Sequence, residues 1–173
     1  MTKQSLLKYS LFLFLFFPSS LWAMGQTTPQ SATGHLTSSP LIGQEPTDVV
    51  LTKTDGTTAS IISSRQGKKA ILVFWATWCP HCYEDLGVIN DQMTSIEQKG
   101  IKIILVNVGG SKEGVQNYFD QRQMKLVSFL DTDTSLQEPY HLIGVPTVIF
   151  IDTKGIIRNV THEFPSDYEN YFR

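Results

Sequence analysis

The chain has 173 residues, 41% of them hydrophobic, with a formal net charge of −2 and a pI near 6.0. That size suits one domain with an ordinary core. The lack of a basic excess argues against a nucleic-acid partner, which needs a clustered cationic face.

Residues 1–23 read as an export signal. Lys3 and Lys8 supply the basic region, Leu11 to Phe17 are unbroken apolar residues, and Pro18-Ser19-Ser20 interrupt the run before Leu21-Trp22-Ala23. Cleavage is expected after Ala23. The run is shorter than the roughly 20 residues of a spanning helix, so an uncleaved signal acting as a membrane tether is the second reading. No cysteine follows the run, which argues against lipid attachment there. Residues 24–47 are rich in Gln, Thr, Ser, Pro and Gly and read as a flexible linker. The folded domain is expected over 48–173.

Val49 to Leu51 and Thr58 to Ile62, joined by Asp55-Gly56, have the pattern of a hairpin. Ala70 to Trp75 is a continuous apolar run, the mark of a central strand covered on both faces. Both of the chain's 2 cysteines follow at once, in Trp78-Cys79-Pro80-His81-Cys82. Leu86, Ile89, Met93 and Ile96 then recur at helical spacing up to Gly100. A second buried strand is predicted over Ile101 to Val108, a second helix around Val115, Tyr118 and Phe119, and a short strand over Val127 to Leu130. This alternation implies crossover connections and parallel pairing. Thr147 to Ile151 and Ile156 to Val160 flank Asp152-Thr153-Lys154-Gly155, which predicts a closing antiparallel hairpin, and a short helix is expected from about Ser166.

Two thiols in the first turn of a helix can cycle between dithiol and disulfide. A structural bridge is the alternative, but closing so short a loop removes little unfolded-state entropy, whereas close helical spacing suits reversible opening. Cys79, at the helix start, lies near free backbone N–H groups and the positive end of the helix dipole, which favours its thiolate and makes it the nucleophile. Cys82 then resolves the mixed disulfide. Lowering a thiol pKa by about five corresponds to roughly 7 kcal/mol, and a helix end supplies at most about 2. Local N–H donors and the intervening Pro80 and His81 must supply the rest.

Phe74-Trp75-Ala76-Thr77-Trp78-Cys79-Pro80-His81-Cys82, together with Gly144-Val145-Pro146-Thr147, resembles the thioredoxin superfamily. Gly43-Gln44-Glu45-Pro46, Asn107-Val108-Gly109 and Leu130-Asp131-Thr132-Asp133 make it most similar to the exported TlpA/ResA-type thiol-disulfide oxidoreductases. The resemblance implies an α/β thioredoxin-like fold, with a central mixed sheet flanked by helices and an extra amino-terminal hairpin. It implies no cofactor, protein thiols or disulfides as substrates, and a membrane or periplasmic redox partner. Pro146 would be a cis-proline facing the disulfide, with the Val145 backbone free to pair with an extended substrate. Asp85 stands where that branch carries a glutamate and would relay a proton to or from Cys82. Val73 replaces thioredoxin's buried aspartate, and Gly87 replaces the family's helix-kinking proline. Trp78 would shield the disulfide and dock substrate.

The resemblance leaves the direction of electron flow open. Cys-Pro-His-Cys and Val145-Pro146 also match the DsbA oxidases, where a cationic His81 would stabilise the reduced form; the scaffold matches reductases, some of which serve cytochrome c maturation. Potentials in this superfamily span about −270 to −120 mV, roughly 7 kcal/mol for two electrons, so the intervening dipeptide can decide direction. Two other classes stand beside these. Cys79, Cys82 and His141 could hold cuprous copper as a chaperone does, although half a zinc site is excluded for want of a second cysteine pair. A peroxidase of the related peroxiredoxin group would need its threonine three residues before the cysteine, but Thr77 stands two before Cys79.

Overall fold

The computed structural model describes residues 39–173. The export signal read at 1–23, and most of the linker read at 24–47, lie outside the described residues. Within them the core is a five-stranded mixed sheet with strand order β5-β4-β3-β6-β7.

The middle strand, β3 (Lys69–Trp75), is buried from Ala70 onward because both its faces are covered. Ile71, Val73 and Trp75 join one core cluster, and Ala70, Leu72 and Phe74 join another on the opposite face. The strand therefore reads as an unbroken apolar run rather than an alternating one. It pairs in parallel with β4 (Ile101–Val108), which pairs in parallel with β5 (Ser128–Asp131). On its other side it pairs antiparallel with β6 (Thr147–Ile151), which forms the closing hairpin with β7 (Ile157–Thr161).

The helix α1 (Pro80–Gln98) connects β3 to β4. It buries Cys82, Leu86, Ile89 and Ile96 on one face, with Met93 packed against the same cluster. Gly100, with φ +74, ends it in the left-handed conformation that a glycine adopts without steric cost. The helix α2 (Lys112–Gln121) begins at Ser111, whose Oγ accepts from Gly114 N at 3.1 Å. It buries Val115, Tyr118 and Phe119, the three residues that the sequence pattern marks as its inner face.

The amino-terminal hairpin, β1 (Val50–Thr52) and β2 (Thr58–Ser60), forms its own two-stranded sheet. Asp55 closes its turn by accepting from Thr57 N at 2.9 Å and Thr57 Oγ1 at 2.7 Å. The hairpin reaches β5 through Thr54, whose N donates to Ser128 O at 2.9 Å and whose Oγ1 accepts from Ser128 N at 3.2 Å. Ser128 Oγ in turn accepts from the indole Nε1 of Trp75 at 3.0 Å. A chain of hydrogen bonds thus ties the hairpin to the strand that ends at the cysteines.

Two expectations need correction. Packing begins ahead of residue 48: Leu41 is buried with Ile61, Tyr140 and Ile157, and Gly43 N and Gln44 O bond to Ile157 O and N at 2.8 and 2.9 Å. Leu41 supplies the apolar anchor that the rest of the polar segment lacks. The closing helix is a 3₁₀ turn, Tyr168–Phe172, which starts two residues later than expected. Its aromatic side chains anchor it, Tyr171 and Phe172 lying 4.9 and 5.5 Å from the Phe150 ring.

Candidate active site

Cys79 and Cys82 are joined as a disulfide, with their Cα atoms 5.3 Å apart. The path from β3 into α1 explains their placement. Cys79 keeps an extended backbone as the N-cap of α1, and Pro80 occupies the first helical position, where its missing N–H costs nothing. Cys79 Sγ accepts from Cys82 N at 3.1 Å. That donor is one of the unsatisfied amides of the helix start, aimed at the sulfur that carries negative charge after reduction.

The two sulfurs are not equivalent. Cys82 is fully buried in the core beneath α1, while Cys79 retains 4% of its surface and lines an open cleft. An incoming thiolate therefore meets Cys79.

The Val145-Pro146 peptide is cis, and Val145 O lies 3.5 Å from Cys79 Sγ. The oxidised sulfur carries no hydrogen, so this is a contact; once reduced, the thiol can donate to the same oxygen. Thr147 Oγ1 donates to Gly144 O at 2.8 Å, holding the loop from one side. His162 Nδ1 stands 3.4 Å from both Pro146 O and Thr147 Oγ1 on the other.

The sequence reading gave His162 no role. The signal lay in the register of the closing hairpin: Thr161 pairs with Val148, which sets the next residue beside Thr147.

Asp85 is half-buried one helical turn after Cys82. Burial pushes its carboxyl above the ordinary aspartate range, and the nearby Glu163 and Glu84 push in the same direction. Its Oδ2 accepts from Phe164 N at 3.0 Å, and this bond, with the more distant His81, acts against the rise. The segment after β7 therefore reaches both parts of the site, through His162 at the proline loop and Phe164 at the acid.

His81 does not press on the disulfide as a buried partner would. Its side chain is 83% exposed, with Nδ1 4.0 Å from Glu84 Oε2. Trp78 is 75% exposed and separates two clefts. One, of 220 Å³, is walled by Val108, Leu142, Ile143 and Val145. The other, of 400 Å³, contains Cys79 and Pro80 and is walled by Tyr83, Glu84, Tyr118 and Arg122.

The three ligands considered for copper are not gathered. Among the described residues no group of three or more His, Cys, Asp or Glu side chains is placed to hold a metal ion, and His141 is exposed in the loop ahead of Pro146.

Residues 42–160 match the family model described as the AhpC/TSA family. The chain belongs to this family. The match spans the sheet, both helices, the cysteine pair and the proline loop. Among relatives in the same group of likenesses, the thiol-disulfide oxidoreductase ResA of Bacillus subtilis is 29% identical over 136 residues, covering 76% of this chain and 75% of its own.

The crystal structure of StoA from the same organism superposes with a TM-score of 0.62 at 23% identity, covering 73% of this chain and 96% of that one, and shares the fold. The pneumococcal exposed lipoprotein thioredoxin Etrx1 of Streptococcus pneumoniae superposes with a TM-score of 0.60 at 27% identity, over 69% of this chain and 92% of that one. The thioredoxin-like architecture expected from the cysteine and proline motifs is the one the chain adopts.

Proposed function

We propose that this member of the family exchanges disulfides with polypeptide thiols outside the cytoplasm, with Cys79 as the attacked and attacking sulfur and Cys82 as the resolving one. The protein is a thiol-disulfide oxidoreductase, as its relatives' names and its cysteine pair agree. The observation that carries the assigned roles is the Cys79–Cys82 disulfide at a helix start with Val145 O, ahead of cis-Pro146, 3.5 Å from the more accessible sulfur.

In the oxidising direction a substrate thiolate attacks Cys79 Sγ. The Cys79–Cys82 bond breaks, a mixed disulfide forms, and the electron pair leaves on Cys82, which takes up a proton. A second substrate thiolate then attacks the substrate sulfur of the mixed disulfide, giving the substrate disulfide and the Cys79 thiolate. The protein ends with two electrons more. Reduction of a substrate runs through the same mixed disulfide in reverse.

Asp85, one helical turn after Cys82, can pass the Cys82 proton, since its raised pKa keeps the protonated form accessible. The Cys82 N–H on Cys79 Sγ and the helix dipole favour the Cys79 thiolate and so the reduced state. The Cys-Pro-His-Cys pattern that His81 shares with the DsbA oxidases supports an oxidising direction. The likeness to ResA supports the opposite direction as the second reading.

Cys79→Ser abolishes turnover, and Cys82→Ser accumulates mixed disulfides detectable on non-reducing gels; full activity in both variants defeats the assignment. Equilibration with glutathione reads the direction: a potential near −120 mV fits an oxidase and one near −270 mV a reductase. Export and tethering rest on the composition of 1–23, and fractionation with an intact-mass measurement of the exported form tests both.

A further inference from the structure

The cleft on the α2 side of Cys79 has a feature that thiol exchange does not use. Arg122 lies with its guanidinium carbon 3.8 Å from the centre of the Tyr118 ring and 5.5 Å from that of Tyr83. Its Nη1 donates to Tyr118 O at 3.3 Å. Stacking and this bond hold a side chain that would otherwise be among the most mobile, so little entropy remains to be lost when it binds a partner.

With Nη1 engaged by Tyr118 O, the other guanidinium N–H groups remain, and a pair of such donors is what a carboxylate engages. Among the described residues no carboxylate lies within ion-pair distance of Arg122. The same wall contains Tyr118, whose hydroxyl is buried without a hydrogen-bond partner. Burial raises the pKa of that phenol, so it stays protonated and able to donate. The buried hydroxyl marks a polar wall, and the remaining guanidinium N–H groups of the exposed Arg122 are open to an acceptor from outside in a cleft that includes the reactive sulfur. Glu84 is the one acid on this wall, and it is drawn toward His81 rather than Arg122.

We propose that this cleft is a specificity pocket for an acidic side chain, aspartate or glutamate, of the polypeptide whose cysteine exchanges with Cys79. The pocket rests on the exchange function proposed above and adds to it a preference set by Arg122. The Val145 backbone holds the extended main chain on one side of the sulfur, and Arg122 reads a side chain on the other.

Single-cysteine peptides with glutamate or glutamine at each of the three positions flanking the cysteine test this. Their rates of mixed-disulfide formation with the oxidised full chain are followed by stopped-flow tryptophan fluorescence. At one or more positions the glutamate peptide is expected to react about fivefold faster relative to its glutamine counterpart with the wild type than with Arg122→Gln. A carboxylate alters the peptide's own thiol pKa equally for both proteins, so this ratio of ratios isolates the pocket. The preference falls with added salt, and Arg122→Lys restores only part of it, because lysine lacks the planar fork.

Peptides that exchange at every position with the same ratio in the wild type and in Arg122→Gln overturn the pocket alone. If neither the peptides nor dithiothreitol exchange with the pair, the exchange function is overturned and the pocket with it.

Discussion

The two clefts that meet at Trp78 offer a partner opposite chemistry: one contains Cys79 itself, and the other contains Val145, whose carbonyl oxygen lies 3.5 Å from that sulfur. On the proline side the walls are Val108, Leu142, Ile143 and Val145, with Ile143 89% exposed and a backbone carbonyl facing the sulfur. On the proposed function, such a surface takes an extended chain through main-chain bonds and apolar contact, with no charge to select by. On the α2 side the walls are Tyr83, Glu84, Tyr118 and Arg122, and there a side chain can be told from its neighbours by charge. The proposed function and the proposed pocket together make reactivity and selectivity separable: the helix start and proline loop would set whether exchange occurs, and the residues around them with whom.

Perturbations of the shared chemistry should strike both clefts alike, and the largest outside the cysteines themselves is at Asp85. Asp85→Asn removes the proposed proton carrier and is expected to slow steps that protonate or deprotonate Cys82 by about 100-fold, for acidic and neutral substrates equally. Rapid-quench measurement of mixed-disulfide resolution reads it; a loss confined to one substrate class would break the division between reaction and recognition.

The same variant has a stability signature. The folded Asp85 carboxyl holds its proton to higher pH than the unfolded one. As pH rises from the ordinary value of about 3.9, the unfolded chain ionises first, and stability falls until the folded group has ionised too. Asp85→Asn should flatten that slope while its Oδ1 still accepts from Phe164 N, as urea midpoints across this range will show.

A smaller and one-sided effect is expected at Ile143. Ile143→Asp removes apolar contact worth about 1.5 kcal/mol and should raise KM for polypeptides roughly tenfold, without erasing a glutamate-over-glutamine preference. An unchanged KM would remove the proline-side cleft from substrate binding.

The smallest effect is on stability alone. Ser128→Ala leaves the Trp75 indole N–H without its acceptor and should cost about 1–3 kcal/mol in thermal or urea unfolding. Substrate preference should stay unaltered, because Ser128 supports the strand beneath both clefts.

The framework of this arrangement was legible in the sequence. Ile101 to Val108 is observed as a strand with the bounds expected, and Ala70 to Trp75 differs by one residue. These segments are fixed by local pattern: runs covered on both faces for the strands, and one apolar face for α1. The Pro146 geometry came from the family resemblance, since nothing local in Gly144-Val145-Pro146 distinguishes a cis turn from an ordinary one.

What local pattern misses is contact between distant segments. His162 reaches Pro146 only because of the hairpin register, and Phe164 reaches Asp85 across 79 positions. Arg122 lies beyond the end of α2 and gains meaning only where Tyr83, on another helix, approaches it. Leu41 and Ile42 are too short an apolar stretch to have a periodicity, so nothing local reveals that Leu41 packs while Ile42 stays exposed.

The bond between Thr54 and Ser128 spans 74 positions and implies an order of assembly. The hairpin is made first, yet its docking partner β5 appears only after both helices. In a chain emerging from its amino terminus, the first-made element has to wait for one of the later ones. Meanwhile Cys79 and Cys82, three positions apart, can find each other as soon as α1 begins to form. The two cysteines are thus at hand before the hairpin can dock, and before β6 brings the proline loop opposite them.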